Sequence, residues 1–150
     1  MSTDFLKRDL ASLVHPLHDV KAQHAAHVWV RGSGALLFDA DGKEYIDGLS
    51  GLWNVALGHG RRELADAARE QMATLAYASG YTGNTNVPAI ELAEKLARLT
   101  YPRINRFFFT SGGAEANESA IKLARSYWKL RGQPAKTKVI SRELGYHGTT

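Results

Sequence analysis

Between Arg106 and Ser141 the chain passes through five consecutive signals. Arg106-Phe-Phe-Phe-Thr110 is a short apolar run bounded by turn residues, and it reads as a buried strand. Ser111-Gly112-Gly113 is a small-residue turn. A long helical pattern then reaches Arg131, where Gly132 and Pro134 stop it. Lys138-Val-Ile-Ser141 is a second strand candidate. Strand, helix and strand in that order make a βαβ crossover, because parallel strands need a connection of a dozen or more residues. The expected fold class is therefore α/β with a mainly parallel sheet.

The rest of the chain adds elements around that unit. The first 25 or so residues read as irregular or loosely helical. His27–Arg31 alternates weakly, as a strand does. Leu36–Phe38 and Tyr45–Ile46 flank Asp41-Gly42, a turn dipeptide, which predicts a β-hairpin. Gly48–Gly60 holds four glycines and few charges, and is expected to lie as a loop against the protein. Leu64, Ala67, Ala68, Gln71, Met72 and Leu75 keep helical spacing, predicting a helix over Arg62–Tyr77. Ser79–Asn86 is turn chemistry. A second amphipathic helix follows, with Pro88 early and Leu96 and Leu99 toward the core. With 44% hydrophobic residues, the 150-residue chain is expected to build one packed core.

Composition removes several kinds of chemistry. There is no cysteine, which excludes a disulfide scaffold, a Cys-based zinc site, an iron–sulfur cluster and a thiol nucleophile. The six histidines lack metal-ligand spacing, so no metal site is expected. No apolar stretch nears the ~18 residues of a spanning helix, and Met1–Leu10 carries four charges, unlike a signal peptide. A soluble cytoplasmic protein, not bound to a membrane, is the expectation. Charge is uneven: seven basic residues and no acid lie between Lys122 and Arg142. Such a run is either a solvated helix face or an anion-binding strip. A nucleic-acid binder would need stacking aromatics beside it, and Tyr127 and Trp128 are wanted instead by the helix's apolar face.

Three places carry chemistry. The strand-to-helix junction Thr110–Asn117 presents unpaired backbone N–H groups and the positive end of a helix dipole. Two glycines permit close approach, and Ser111 adds a hydroxyl. Together these suit one phosphate, although a plain tight turn with Ser111 as N-cap fits the same residues. Neither the P-loop nor the dinucleotide-binding spacing is present. Gly145-Tyr146-His147-Gly148 follows the second strand on the same rim of the sheet, where ligands of α/β proteins bind. Tyr146 either lies flat on a planar ligand or packs into the loop. Trp53, in the Gly-rich loop, is either a rigid pocket wall or a core plug, and Tyr81 has the same two readings.

Taken in order, Asp41–Asp47, Ser50–Asn54, Gly58-His59-Gly60, Thr110–Asn117 and Gly145–Gly148 resemble the landmarks of class III aminotransferases. These are pyridoxal-phosphate enzymes of fold type I, and the likeness leans to the ω-transaminase branch. The resemblance implies that residues 1–60 supply an N-terminal segment, hairpin and active-site loop, and that residues 61–150 begin the large cofactor-binding domain. It implies that Ser111, Gly112 and Gly113 hold the phosphate of pyridoxal 5'-phosphate and that Tyr146 stacks on its ring. Leu17, Trp53 and Tyr81 would line the substrate pocket, with Tyr81 entering the site of a neighbouring subunit in a homodimer. Many relatives carry an aromatic residue where Leu17 stands. The implied reaction moves an amino group from an amine or ω-amino acid to a keto acid such as pyruvate. An aminomutase and an acid-specific aminotransferase are the alternatives within the family. No catalytic residue is expected among these residues, because the family's Schiff-base lysine lies further along the chain.

Overall fold

The computed structural model describes residues 2–16, 19, 21 and 27–149. It divides into two units, Met1–Tyr77 and Ala78–Thr150.

The first unit opens with helix α1 (Ser2–Ser12). Three strands follow, β1 (Trp29–Ser33), β2 (Leu36–Asp39) and β3 (Glu44–Ile46), in an antiparallel sheet of order β1-β2-β3. The hairpin lies where Asp41-Gly42 predicts it. Leu36 pairs with Ile46 and Phe38 with Glu44. Gly42 takes φ +83°, a value that disfavours any side chain. The turn is held by one carboxylate. Asp39 accepts the N–H groups of Asp41 (3.0 Å) and Lys43 (2.8 Å) and the Tyr45 hydroxyl (3.0 Å). Across the sheet, the Arg31 guanidinium lies 3.6 Å from the centre of its partner's ring, Phe38. A short helical turn, α2 (Ser50–Trp53), and helix α3 (Arg62–Thr74) complete this unit.

The Asp39 contacts set an acid limit. The Lys43 N–H, joined by the Tyr45 hydroxyl, lowers its carboxyl below the ordinary 3.8. A carboxyl with a depressed folded value stabilises the fold above its unfolded pKa, and that support is lost as pH falls through the folded value. In a carbon-detected titration, Asp39 should therefore show a midpoint below 3.8, with the hairpin amide signals of Lys43 and Tyr45 changing at that same midpoint. A midpoint at or above 3.8 would refute this account of the turn.

The second unit holds a 3-10 turn (Gly80–Thr82), α4 (Val87–Leu99) and α5 (Gly113–Leu130). Asn86 caps α4, accepting the Ala89 N–H at 3.0 Å. At the end of α5, Gly132 has φ +75°, and the N–H groups of Gly132 and Gln133 return to the carbonyls of Lys129 and Trp128. This is a Schellman stop of the kind Gly132 predicts.

Two expectations are corrected. Arg106–Thr110 and Lys138–Ser141 flank α5 as expected, but neither is a paired strand, and no backbone hydrogen bond joins them among the described residues. A strand needs a neighbour about 4.8 Å away to complete its ladder, and neither segment has one. The packed core is absent too: no described residue is buried. The chain exposes 13459 Å², whereas two separate domains of half its mass would together expose about 9,100 Å². The apolar faces of α3, α4 and α5 have formed, but among the described residues nothing buries them. No described helix is long and apolar enough to cross a membrane.

Candidate functional site

In the second unit, the junction before α5 is built by backbone geometry. The Thr110 hydroxyl donates to the Gly112 carbonyl at 3.0 Å, bracing the turn. Gly112 is extended (φ −169°, ψ 175°) and occupies the N-cap position, and no side chain caps the helix. The reading of Ser111 as N-cap is therefore overturned: the extended Gly112 follows Ser111, so helical geometry begins one residue too late for its hydroxyl to take that role. The first intrahelical bond runs from the Ala116 N–H to the Gly112 carbonyl at 3.0 Å. The amides of Gly113, Ala114 and Glu115 precede any such partner, and the helix dipole adds partial positive charge around them. A side chain built on Gly113 would meet nothing within 4 Å, so space is open there. Beside Gly112 the space is taken, because a Cβ would come within 2.9 Å of the Glu115 carboxylate.

The loop after Lys138–Ser141 is fastened to the same end of the helix. Leu144 adopts φ +55°, and the Gly145 N–H turns back to the Arg142 carbonyl at 3.2 Å. Asn117, on the first turns of α5, donates its amide to the His147 carbonyl at 2.8 Å. Gly148, at φ +115°, lies so close to the helix that a Cβ would come 2.6 Å from that of Ala114. The structure thus brings the Tyr146 loop to the residue beyond Gly113, with Tyr146 itself 81% exposed. Thr110, Ala114, Asn117 and Gly148 were not assigned these tasks from sequence. The available signal was Asn117, a polar residue four positions after Gly113 and so on the same face of the helix.

The other expected residues are distributed as follows. Tyr81 sits on the 3-10 turn, with its N–H bonded to the Ser79 hydroxyl, and is 98% exposed. Trp53 belongs to the first unit, on α2, and is 80% exposed. The expectation that this loop lies against the protein is corrected, since Leu49, Leu52 and Leu57 are exposed with it. Leu17 lies outside the described residues. His15 pairs with Asp9 at 2.9 Å. Among the described residues, no group of three or more acidic or imidazole side chains could hold a metal ion.

The basic run is engaged locally at three points. Lys122 pairs with Glu118 at 2.9 Å, Arg125 donates to the Thr137 carbonyl, and Lys136 lies 3.4 Å from the centre of the Trp128 ring. Trp128 therefore already has a cation on its face.

A family model described as aminotransferase class-III matches residues 17–150. A probable aminotransferase of Mycobacterium tuberculosis is 54% identical over 133 residues, covering 89% of this chain and 28% of that protein. The β-alanine–pyruvate aminotransferase of Pseudomonas aeruginosa is 42% identical over 84% of this chain and 28% of its own length. The chain thus spans under a third of these curated relatives. Among solved structures, an (S)-enantioselective ω-transaminase from Thermomicrobium roseum superposes with a TM-score of 0.93 at 49% identity, over 97% of this chain and 33% of that one. An ω-transaminase of Pseudomonas jessenii, solved in complex with PMP, gives 0.89 at 35% identity, over 96% and 32%. Five ordered motifs, the open helix end and the match across residues 17–150 agree: this chain belongs to the class III aminotransferases, pyridoxal-phosphate enzymes of fold type I.

Proposed function

We propose that the protein moves an amino group from an amine or ω-amino acid to a keto acid such as pyruvate, using pyridoxal 5'-phosphate. The observation that carries this reading is the uncapped start of α5, open over Gly113, with the Tyr146 loop locked to the same turn. Its donors suit a phosphate: backbone N–H groups at a helix N-terminus, the Ser111 hydroxyl, and no Cβ in the way. When bound, the cofactor supplies the electron sink, and the protein supplies orientation.

In this reading Ser111, Gly112 and Gly113 anchor the phosphate, and the Glu115 side chain turns outward to admit it. Tyr146 lies on the ring, where an offset stack contributes ~0.5–1.5 kcal/mol. Trp53 forms a wall of the substrate pocket. Tyr81, almost fully exposed, reaches the site of a second subunit in a homodimer. Lys122 is nine residues past Gly113, about 13 Å along the helix at ~1.5 Å per residue, and is held by Glu118. It is not placed to act at the phosphate end.

The test uses the full-length protein loaded with pyridoxal phosphate. A panel of primary amines and ω-amino acids is offered with pyruvate or 2-oxoglutarate, and alanine or glutamate is measured. Alanine formation from several donors is expected. Turnover with 2-oxoglutarate alone would assign an acid-specific enzyme instead. Trp53→Ala should shift kcat/KM toward bulkier amines by about tenfold, the scale of one or two methylene groups in a pocket. An unchanged ratio would make Trp53 a surface residue only.

A further inference from the structure

The loop carrying Trp53 has an unusual backbone. Ser50, Gly51, Leu52 and Trp53 take φ values of 50°, 59°, 59° and 67°. Three of the four are not glycine, and in the left-handed region the Cβ of each crowds the following carbonyl oxygen. A run of this kind persists only where its surroundings over-determine it.

The surroundings are specific. The Asp47 side chain, 8% exposed, faces both ways. Its Oδ1 accepts the Gly51 N–H at 3.1 Å, and its Oδ2 accepts from His59 Nε2 at 2.8 Å. The ring nitrogen must be the donor, because the Gly51 N–H and His59 hold this carboxyl below its ordinary value, leaving it no proton to give at neutral pH. His59 is fixed from two further directions. Its backbone pairs with Gly34 in both senses, at 2.8 and 3.0 Å, and its ring fills the space beside Gly32, where a Cβ would come within 2.5 Å of it. At the far end of the turn, Asn54 donates its amide to the carbonyls of Gly51 (3.2 Å) and Leu52 (3.0 Å).

We propose that Asp47, His59 and Asn54 are positioning residues: they clamp the left-handed turn Ser50–Trp53 to the sheet and so set where the Trp53 indole stands and which amines it admits. The sheet supplies a rigid anchor, His59 carries it across, and Asp47 delivers it to the Gly51 amide. The amine-selecting part of this proposal rests on Trp53 being a pocket wall.

The experiment compares wild type, His59→Ala, His59→Gln and Trp53→Ala in the full-length holoenzyme, with two measurements on each. Hydrogen exchange is followed in segment 49–57, whose Gly51, Trp53, Asn54 and Val55 amides are bonded in the turn. The kcat/KM ratio is taken for a small and a bulky amine. His59→Ala should speed exchange in that segment by at least tenfold while α3 and α5 stay unchanged. It should also move the ratio at least threefold in the direction that Trp53→Ala moves it. His59→Gln, which keeps an N–H donor at similar reach, should restore both. Unchanged exchange, faster exchange throughout the chain, or no rescue by Gln would overturn the clamp. Faster local exchange with an unmoved amine ratio, where Trp53→Ala does move it, would also overturn the proposal and leave the pocket wall standing. If Trp53→Ala itself leaves the ratio unmoved, the pocket-wall reading fails and the selectivity claim falls with it.

Discussion

Gly113→Val should weaken retention of pyridoxal phosphate by about a hundredfold or more while leaving α5 folded. The position has two properties that rarely coincide. A Cβ there meets nothing within 4 Å, so the substitution creates no clash within the chain. In the proposed reading, the phosphate approaches the N–H groups at the start of α5 through that same space. Isopropyl atoms in it would hold the phosphate beyond hydrogen-bond reach of at least two donors. Hydrogen bonds to a charged group contribute ~1.5–3 kcal/mol each, and ~1.4 kcal/mol is tenfold in affinity. Equilibrium dialysis of the full-length protein against the cofactor measures the loss, and circular dichroism reports the helix. Gly113→Ala should fall between Val and wild type. Unchanged affinity in Gly113→Val would remove the phosphate from this turn.

Gly148→Ala should release the Tyr146 loop from the helix. Two penalties act together. At φ +115° a side chain is strained by roughly 1–3 kcal/mol. The new Cβ would also stand 2.6 Å from that of Ala114, an overlap that one end of the contact must relieve by moving. Overpacking of this kind costs about 1–3 kcal/mol more. The loop is the softer partner, since Asn117 holds it by a single hydrogen bond. Faster hydrogen exchange over residues 143–149 is the expected result and, with Tyr146 on the cofactor ring as proposed, a changed absorbance spectrum of bound cofactor. Ala114→Gly in the same chain removes part of the overlap and should restore part of both signals. Wild-type exchange in Gly148→Ala would mean that the close approach does not matter.

Local elements of this chain are largely legible in its residues. The i, i+3, i+4 pattern locates α3 and α4, and Pro88 marks the first turn of α4. Gly132 stops α5, and Asp41-Gly42 turns the hairpin. Each of these depends on partners within about six residues, so spacing and capping chemistry carry the information. The uncapped start of α5 at Gly112-Gly113 is legible for the same reason, as a property of one helix N-terminus.

Only the tertiary structure decided what depends on distant partners. Arg106–Thr110 and Lys138–Ser141 are not paired strands, because a ladder is made by a neighbour and not by composition. The left-handed turn at Ser50–Trp53 runs against the preferences of three of its residues and stands on Asp47 and His59, twelve positions apart. The Tyr146 loop meets α5 through Asn117 and His147, thirty positions apart. No local pattern encodes such pairings, because they arise where the chain returns on itself. The absence of a buried residue among those described follows from the same physics: 44% hydrophobic residues supply apolar faces, but burial requires a second surface against each one.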